Sequence, residues 1–218
     1  VPADEHAGER AKIATACRVL AQQGLTQGVL GHVSARAGDG ALLIRGRTPD
    51  DTGLARTAAR HVMRVDYAGN IVDCVRPVDG WAPPRELPIH TRLLQRREDI
   101  AAVVHAHPQE ALLCGLADLP LRPVFGAWNI PAFRMALEGV AVYPRSVLIS
   151  RDELADEMIA AMDGNRVCLL VGHGITVAGD SVEQATVAAV NFTRLCAVTL
   201  QLARLGVEVP NVPEADIA

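Results

Sequence analysis

The stretch 100-IAAVVHAHPQEA-111 decides how the rest of the chain is read. An apolar run climbs to His105, passes one small residue, reaches His107 and meets Pro108. A run of this length, rich in Val and Ala and stopped by proline, reads as a buried strand over 100–106, with a helix opening over 108–116. A strand sends residues i and i+2 to the same face, so both imidazoles can reach one object. That object is a metal ion, a substrate, or merely solvent at a strand end.

Working outward, strands and helices intermix. Residues 5–23 carry Ile13, Ala16, Cys17 and Leu20 at helical spacing, with Asp4 as the expected N-cap and Gly24 as the stop. GVLGHVSARAG and ALLIRGR read as two strands joined through Gly38, Asp39 and Gly40, and HVMRVDYAGNIVDC as a second hairpin with Gly69 and Asn70 at its tip. A proline-led segment turns helical from Leu87. Further helices are expected over 151–162 and 181–205, the last with Val182, Ala185, Ala189 and Phe192 facing the core. RVCLLVG is a continuous apolar strand. The pattern predicts a single α/β domain over residues 1–218, with a sheet at least partly antiparallel and flanked by helices.

Composition narrows the function classes. The chain has 218 residues, 50% hydrophobic and 21% charged, with a formal net charge of −4. That balance suits a globular protein with a large core and gives no footing for nucleic acid. The cysteines at 17, 74, 114, 168 and 196 form no C-x-x-C pair, which fits reduced thiols in a cytoplasmic protein. No uninterrupted apolar run reaches membrane-spanning length. No Gly-x-Gly-x-x-Gly or P-loop supports a nucleotide site. Lys12 is the sole lysine and lies in the first helix, away from other candidate chemistry, which disfavours a Schiff-base route.

Four residues stand out together: Glu86, His105, His107 and His173. His173 follows the second strongly apolar strand and precedes a glycine in LLVGHGITV. A lone histidine at a strand end is usually just hydrogen-bonded. Three of them at punctuated strand ends are a plausible ligand set, with the carboxylate as fourth ligand or as acid/base.

These residues also sit in blocks that resemble the class II aldolase/adducin family. The blocks are GHVSAR, Pro83-x-x-Glu86 with His90 four residues on, VVHAHP, and LLVGHG followed by SVEQA. They keep the family order over about residues 10–205. The resemblance implies a three-layer fold with a central, mainly antiparallel or mixed sheet. It also implies a homotetramer with active sites at subunit interfaces. His105, His107 and His173 are then ligands of a divalent metal, typically Zn2+, with Mn2+, Fe2+ or Co2+ as alternatives. Glu86 matches the catalytic acid/base, and Tyr143 lies near a family tyrosine that protonates from a neighbouring subunit. His90 is expected to pack or to support the ligands.

The sequence departs from sugar-phosphate aldolases where they cradle phosphate. Gly31-His32, the Arg45-Gly46-Arg47 stretch and Pro84-Arg85 replace small amide and hydroxyl donors. Arginine forks match planar carboxylates. Together with RPVDGWAPPRELPIHT and VFGAWNIPA, this resembles the decarboxylase branch of the family. A small-molecule substrate such as 3,4-dihydroxyphthalate is implied, with His32, Arg45, Arg47 and Arg85 as candidate contacts. The alternative is an aldolase or epimerase acting on a sugar phosphate.

Overall fold

The structure is a computed structural model that describes residues 4–48, 50–74 and 80–217. Residues 76–79 of the RPVDGWAPP block lie outside that set. Eight strands build one sheet: β1 (His32–Arg36), β2 (Ala41–Arg45), β3 (Val62–Asp66), β4 (Ile71–Cys74), β5 (Ala102–Ala106), β6 (Ala141–Tyr143), β7 (Val167–Leu170) and β8 (Gly174–Gly179). Their spatial order is β4-β3-β2-β1-β5-β8-β7-β6. Every neighbouring pair is antiparallel except β6 with β7. The mixed, mainly antiparallel sheet is the one expected.

Among the described residues, six α-helices cover it: α1 (Ala7–Gln22), α2 (Leu87–Arg96), α3 (Gln109–Leu116), α4 (Ile130–Glu138), α5 (Asp152–Met162) and α6 (Val182–Leu205). Helices α1, α3 and α4 each pack against α6, and the four close over one face. There Ile13, Leu20, Leu43, Val104, Val177 and Phe192 share a core. On the other face, α2 and α5 cover Leu42, Ile44, Val103, Met158 and Ala178. The alternation of Leu42 and Ile44 against Leu43, and of Val103 against Val104, is the period of two by which strands feed two layers.

Several local expectations are corrected. Asp4 does not cap α1: the N-cap is His6, and Asp4 accepts the His6 backbone N–H at 3.0 Å. Strand β5 starts at Ala102, and His107 falls just beyond its end. The sequence reading did not resolve β6, β8 or α4. Helix α4 begins at Asn129, whose side chain accepts the Ala132 N–H at 3.2 Å, a cap that was present in the sequence. Helix α6 is long and apolar enough to cross a membrane by length and composition, but here it packs on β5, β8, α1, α3 and α4.

Candidate metal centre

The site forms where four segments end together. Glu86 occupies the N-cap of α2, His105 lies near the end of β5, His107 follows that strand, and His173 sits in the turn between β7 and β8. Antiparallel pairing of β5 with β8 sets Ala106 opposite Ile175, which brings the His173 turn beside the β5 end. One ligand atom from each of Glu86, His105, His107 and His173 lies within 4.8 Å of the others.

Two glycines make that closeness possible. A Cβ on Gly174 would lie 2.3 Å from the Ala106 carbonyl oxygen. Gly31, at φ +86°, would bring one to 3.0 Å from the His105 carbonyl. Thus His32 and His173 are each next to a glycine that lets their backbone close on the end of β5. The His107 N–H is fixed in turn by the Leu25 carbonyl at 3.0 Å.

Within the cluster, Glu86 Oε1 lies 3.2 Å from His173 Nε2, and Oε2 lies 3.4 Å from His105 Nε2. His105 and His107 bring their Nε2 atoms to 2.8 Å. Glu86 Oε1 also accepts the Ile149 backbone N–H at 3.1 Å. Burial pushes the Glu86 carboxyl up, but hydrogen bonds from His105 and His173 outweigh it and hold the group well below the usual carboxylate range. Burial is the main reason His105 falls below its ordinary value. His107 drops to about 3 through burial and the His105 and His173 rings beside it.

Neutral imidazoles with inward Nε2 atoms and an ionised carboxylate are the donor set a divalent cation takes. The chemistry of the set therefore fits a metal site. None of the five cysteines belongs to it: all are unpaired, and four are buried elsewhere.

The other expected contacts divide. His32 lies beside the cluster, its ring stacked on His105 with centroids 5.1 Å apart. Arg47 donates to the Val29 carbonyl at 2.7 Å, and its charge acts on Glu86, His32 and His107. Arg45 does not reach the cluster. It alternates with Ile44 onto the α1 face, where it donates to Thr57 Oγ1 at 2.9 Å and pairs with Asp51. Arg85 is exposed ahead of Glu86. Tyr143 is buried, and its hydroxyl donates to Glu157 at 3.0 Å rather than reaching the cluster in this chain. Burial and the Glu157 carboxylate raise its phenol above the ordinary value, which makes it a poorer acid. Lys12 pairs with Glu9 at 2.7 Å on the surface of α1.

Sequence reasoning missed Ser34. Its Oγ lies 2.6 Å from His90 Nδ1, and His90 Nε2 lies 3.2 Å from His32 Nδ1. The available signal was strand parity, since Ser34 shares a face with His32.

A three-layer α/β fold whose strand ends gather three imidazoles and a carboxylate defines a class, the metal-dependent enzymes of class II aldolase architecture. The fold is shared with an aldolase II superfamily protein from Pseudomonas syringae, at TM-score 0.83 and 23% identity, covering 98% of this chain and 82% of that one. The chain belongs to the Class II Aldolase and Adducin N-terminal domain family, whose sequence model matches residues 11–200. It is similar to a 3,4-dihydroxyphthalate decarboxylase from Arthrobacter keyseri, with 47% identity over 213 residues, 98% of this chain and 86% of that protein. A protein of the same name from Terrabacter sp. (strain DBF63) is 44% identical over 98% of this chain and 89% of its own length.

Proposed function

We propose that the chain is a divalent-metal-dependent decarboxylase that converts 3,4-dihydroxyphthalate to 3,4-dihydroxybenzoate. The observation that carries this reading is the 47% identity, across 98% of the chain, to a protein named 3,4-dihydroxyphthalate decarboxylase. The ligand cluster gives the reading its chemistry.

His105, His107 and His173 would hold the cation, with Glu86 within reach of it. Zn2+ suits three imidazoles and an oxygen donor, and Mn2+, Fe2+ and Co2+ share that preference in part. A divalent cation there would supply Lewis-acid polarisation of a substrate oxygen. Glu86, ionised at rest, takes the proton of the hydroxyl ortho to the departing carboxylate. It returns that proton to the ring carbon as CO2 leaves, so a C–H bond replaces the C–C bond and its electron pair. A solvent proton then restores the hydroxyl. Arg47 is the arginine that reaches the substrate's second carboxylate, and His32 contacts a substrate oxygen. Arg45, Arg85 and Tyr143 have no part in this scheme. The protein acts as a homotetramer in the cytoplasm, with its substrate sites completed at subunit interfaces.

The test is a substrate comparison on the purified protein. CO2 release from 3,4-dihydroxyphthalate, with 3,4-dihydroxybenzoate formed in equal amount, is the expected result. Cleavage confined to ketose phosphates, with no CO2, would place the chain among the aldolases instead.

A further inference from the structure

Ser34, His90 and His32 form a buried row that leads to the ligand cluster, and its proton arrangement is fixed by a counting argument. Each neutral imidazole carries one N–H and one lone pair. His90 is fully buried and pushed down to about 3 by burial and by His105, so it is neutral in this setting. Two self-consistent chains remain. In the first, the Ser34 O–H donates to His90 Nδ1, His90 Nε2–H donates to His32 Nδ1, and His32 carries its hydrogen on Nε2. In the second every bond reverses, and His32 Nε2 is a bare lone pair.

Ser34 decides between them. Its side chain has no exposure, and His90 Nδ1 is its hydrogen-bond partner among the described residues. The reversed chain would leave a buried hydroxyl hydrogen with no acceptor. The forward chain leaves only an unused oxygen lone pair, which costs far less. The placement has a simple origin. His90 lies one helical turn beyond Glu86, so α2 delivers the carboxylate to the cluster and the imidazole to β1 from the same face. On β1, Ser34 and His32 are two apart and share the face that looks at α2.

We propose that Ser34 and His90 are positioning residues that lock His32 as an Nε2–H donor beside the cluster, aimed at an anionic substrate oxygen. As a donor, His32 stays outside the cation's ligand set although its ring stacks on His105. A lone pair at the same place would compete for the cation. The relay therefore selects between a fourth imidazole ligand and a substrate-binding group. The identity of the substrate rests on the decarboxylase reading above, whereas the tautomer does not.

Two measurements test the proposal. Neutron diffraction, or long-range 1H–15N spectra of 15N-histidine-labelled protein, should place the hydrogen on Nε2 of both His32 and His90, without and with Zn2+. A hydrogen on His32 Nδ1, or a metal-shifted His32 Nε2, overturns it. In the second, His90→Phe, which removes the N–H that His32 Nδ1 accepts, should raise the KM for 3,4-dihydroxyphthalate about tenfold, with bound metal per chain unchanged. His32→Gln, which keeps an N–H donor, should lie within about threefold of the wild type in KM. An unchanged KM in His90→Phe, or loss of metal in either variant, contradicts the relay. If the spectra agree while no aromatic acid is turned over, the decarboxylase reading fails and the relay stands.

Discussion

Arg45 and Arg47 are separated by a single glycine, yet they meet opposite surroundings. Arg45 is the last residue of β2 and takes the α1 face, where its guanidinium pairs with Asp51 at side-chain exposures of 4% and 9%. Burial pushes the Asp51 carboxyl up, but the hydrogen bonds from Arg45 and the Gly53 N–H, together with the Arg45 and Arg47 charges, outweigh it and hold the pKa below its ordinary value. A depressed carboxylate contributes stability that is full above the unfolded pKa near 3.9 and is lost as pH falls through the lower folded value. Arg45→Met should therefore cost about 3–5 kcal/mol at neutral pH, because it strands a buried carboxylate. In urea melts, that difference from the wild type should shrink as the solution is taken below about pH 4. A large KM change with unaltered stability would refute this assignment. Arg47→Met should do the reverse, raising KM for the aromatic diacid about tenfold or more with little change in melting.

Glu86 is more exacting. Glu86→Gln preserves shape and leaves three imidazoles, so bound metal should persist while kcat falls about 10²–10⁴-fold. Full metal loss in that variant would make Glu86 chiefly a ligand. The ligand histidines were legible in sequence because strand parity and punctuation act locally. The fate of Arg45 was hidden, because Ala41, Leu42, Leu43 and Ile44 are all apolar and give no alternation from which to count faces. The bond from Tyr143 to Glu157 was hidden too, because it joins residues on two elements whose packing no local pattern records.

The elements that shape the site are β5 and β8, and the close approach of their ends depends on Gly174. Its missing Cβ leaves room for the Ala106 carbonyl. Gly174→Ala should push the His173 turn outward, lowering metal affinity and the melting temperature together. A variant that binds metal as the wild type does would show that the turn is not held this way. Strand β8 escaped the sequence reading because GITVAG follows the β7 run after only Val171, Gly172 and His173, and two fully buried strands so close read as one apolar block. Strand β6 has three residues and pairs in parallel with β7, so its register comes from the sheet rather than from its own sequence.

At the scale of the whole molecule, the two faces of the sheet divide the work. Helices α1, α3, α4 and α6 bury the larger apolar cluster and contribute none of the four ligands. The α2 side carries Glu86, His90 and the inward faces of β1, β5 and β8, so the chemistry gathers at one end of one face. That division was foreseeable from alternation along each strand. Which strand ends would meet was not, since it depends on the β1-β5-β8 order, in which chain neighbours are not sheet neighbours.

The central claim is that decarboxylation depends on one cation held by this cluster. The direct measurement is CO2 release from 3,4-dihydroxyphthalate by chelator-stripped protein titrated with Zn2+ or Mn2+. The account predicts negligible release in the stripped protein, then a linear rise that saturates near one cation per chain, with His173→Ala flat throughout. Full turnover by the stripped protein, or unchanged turnover by His173→Ala, would contradict it.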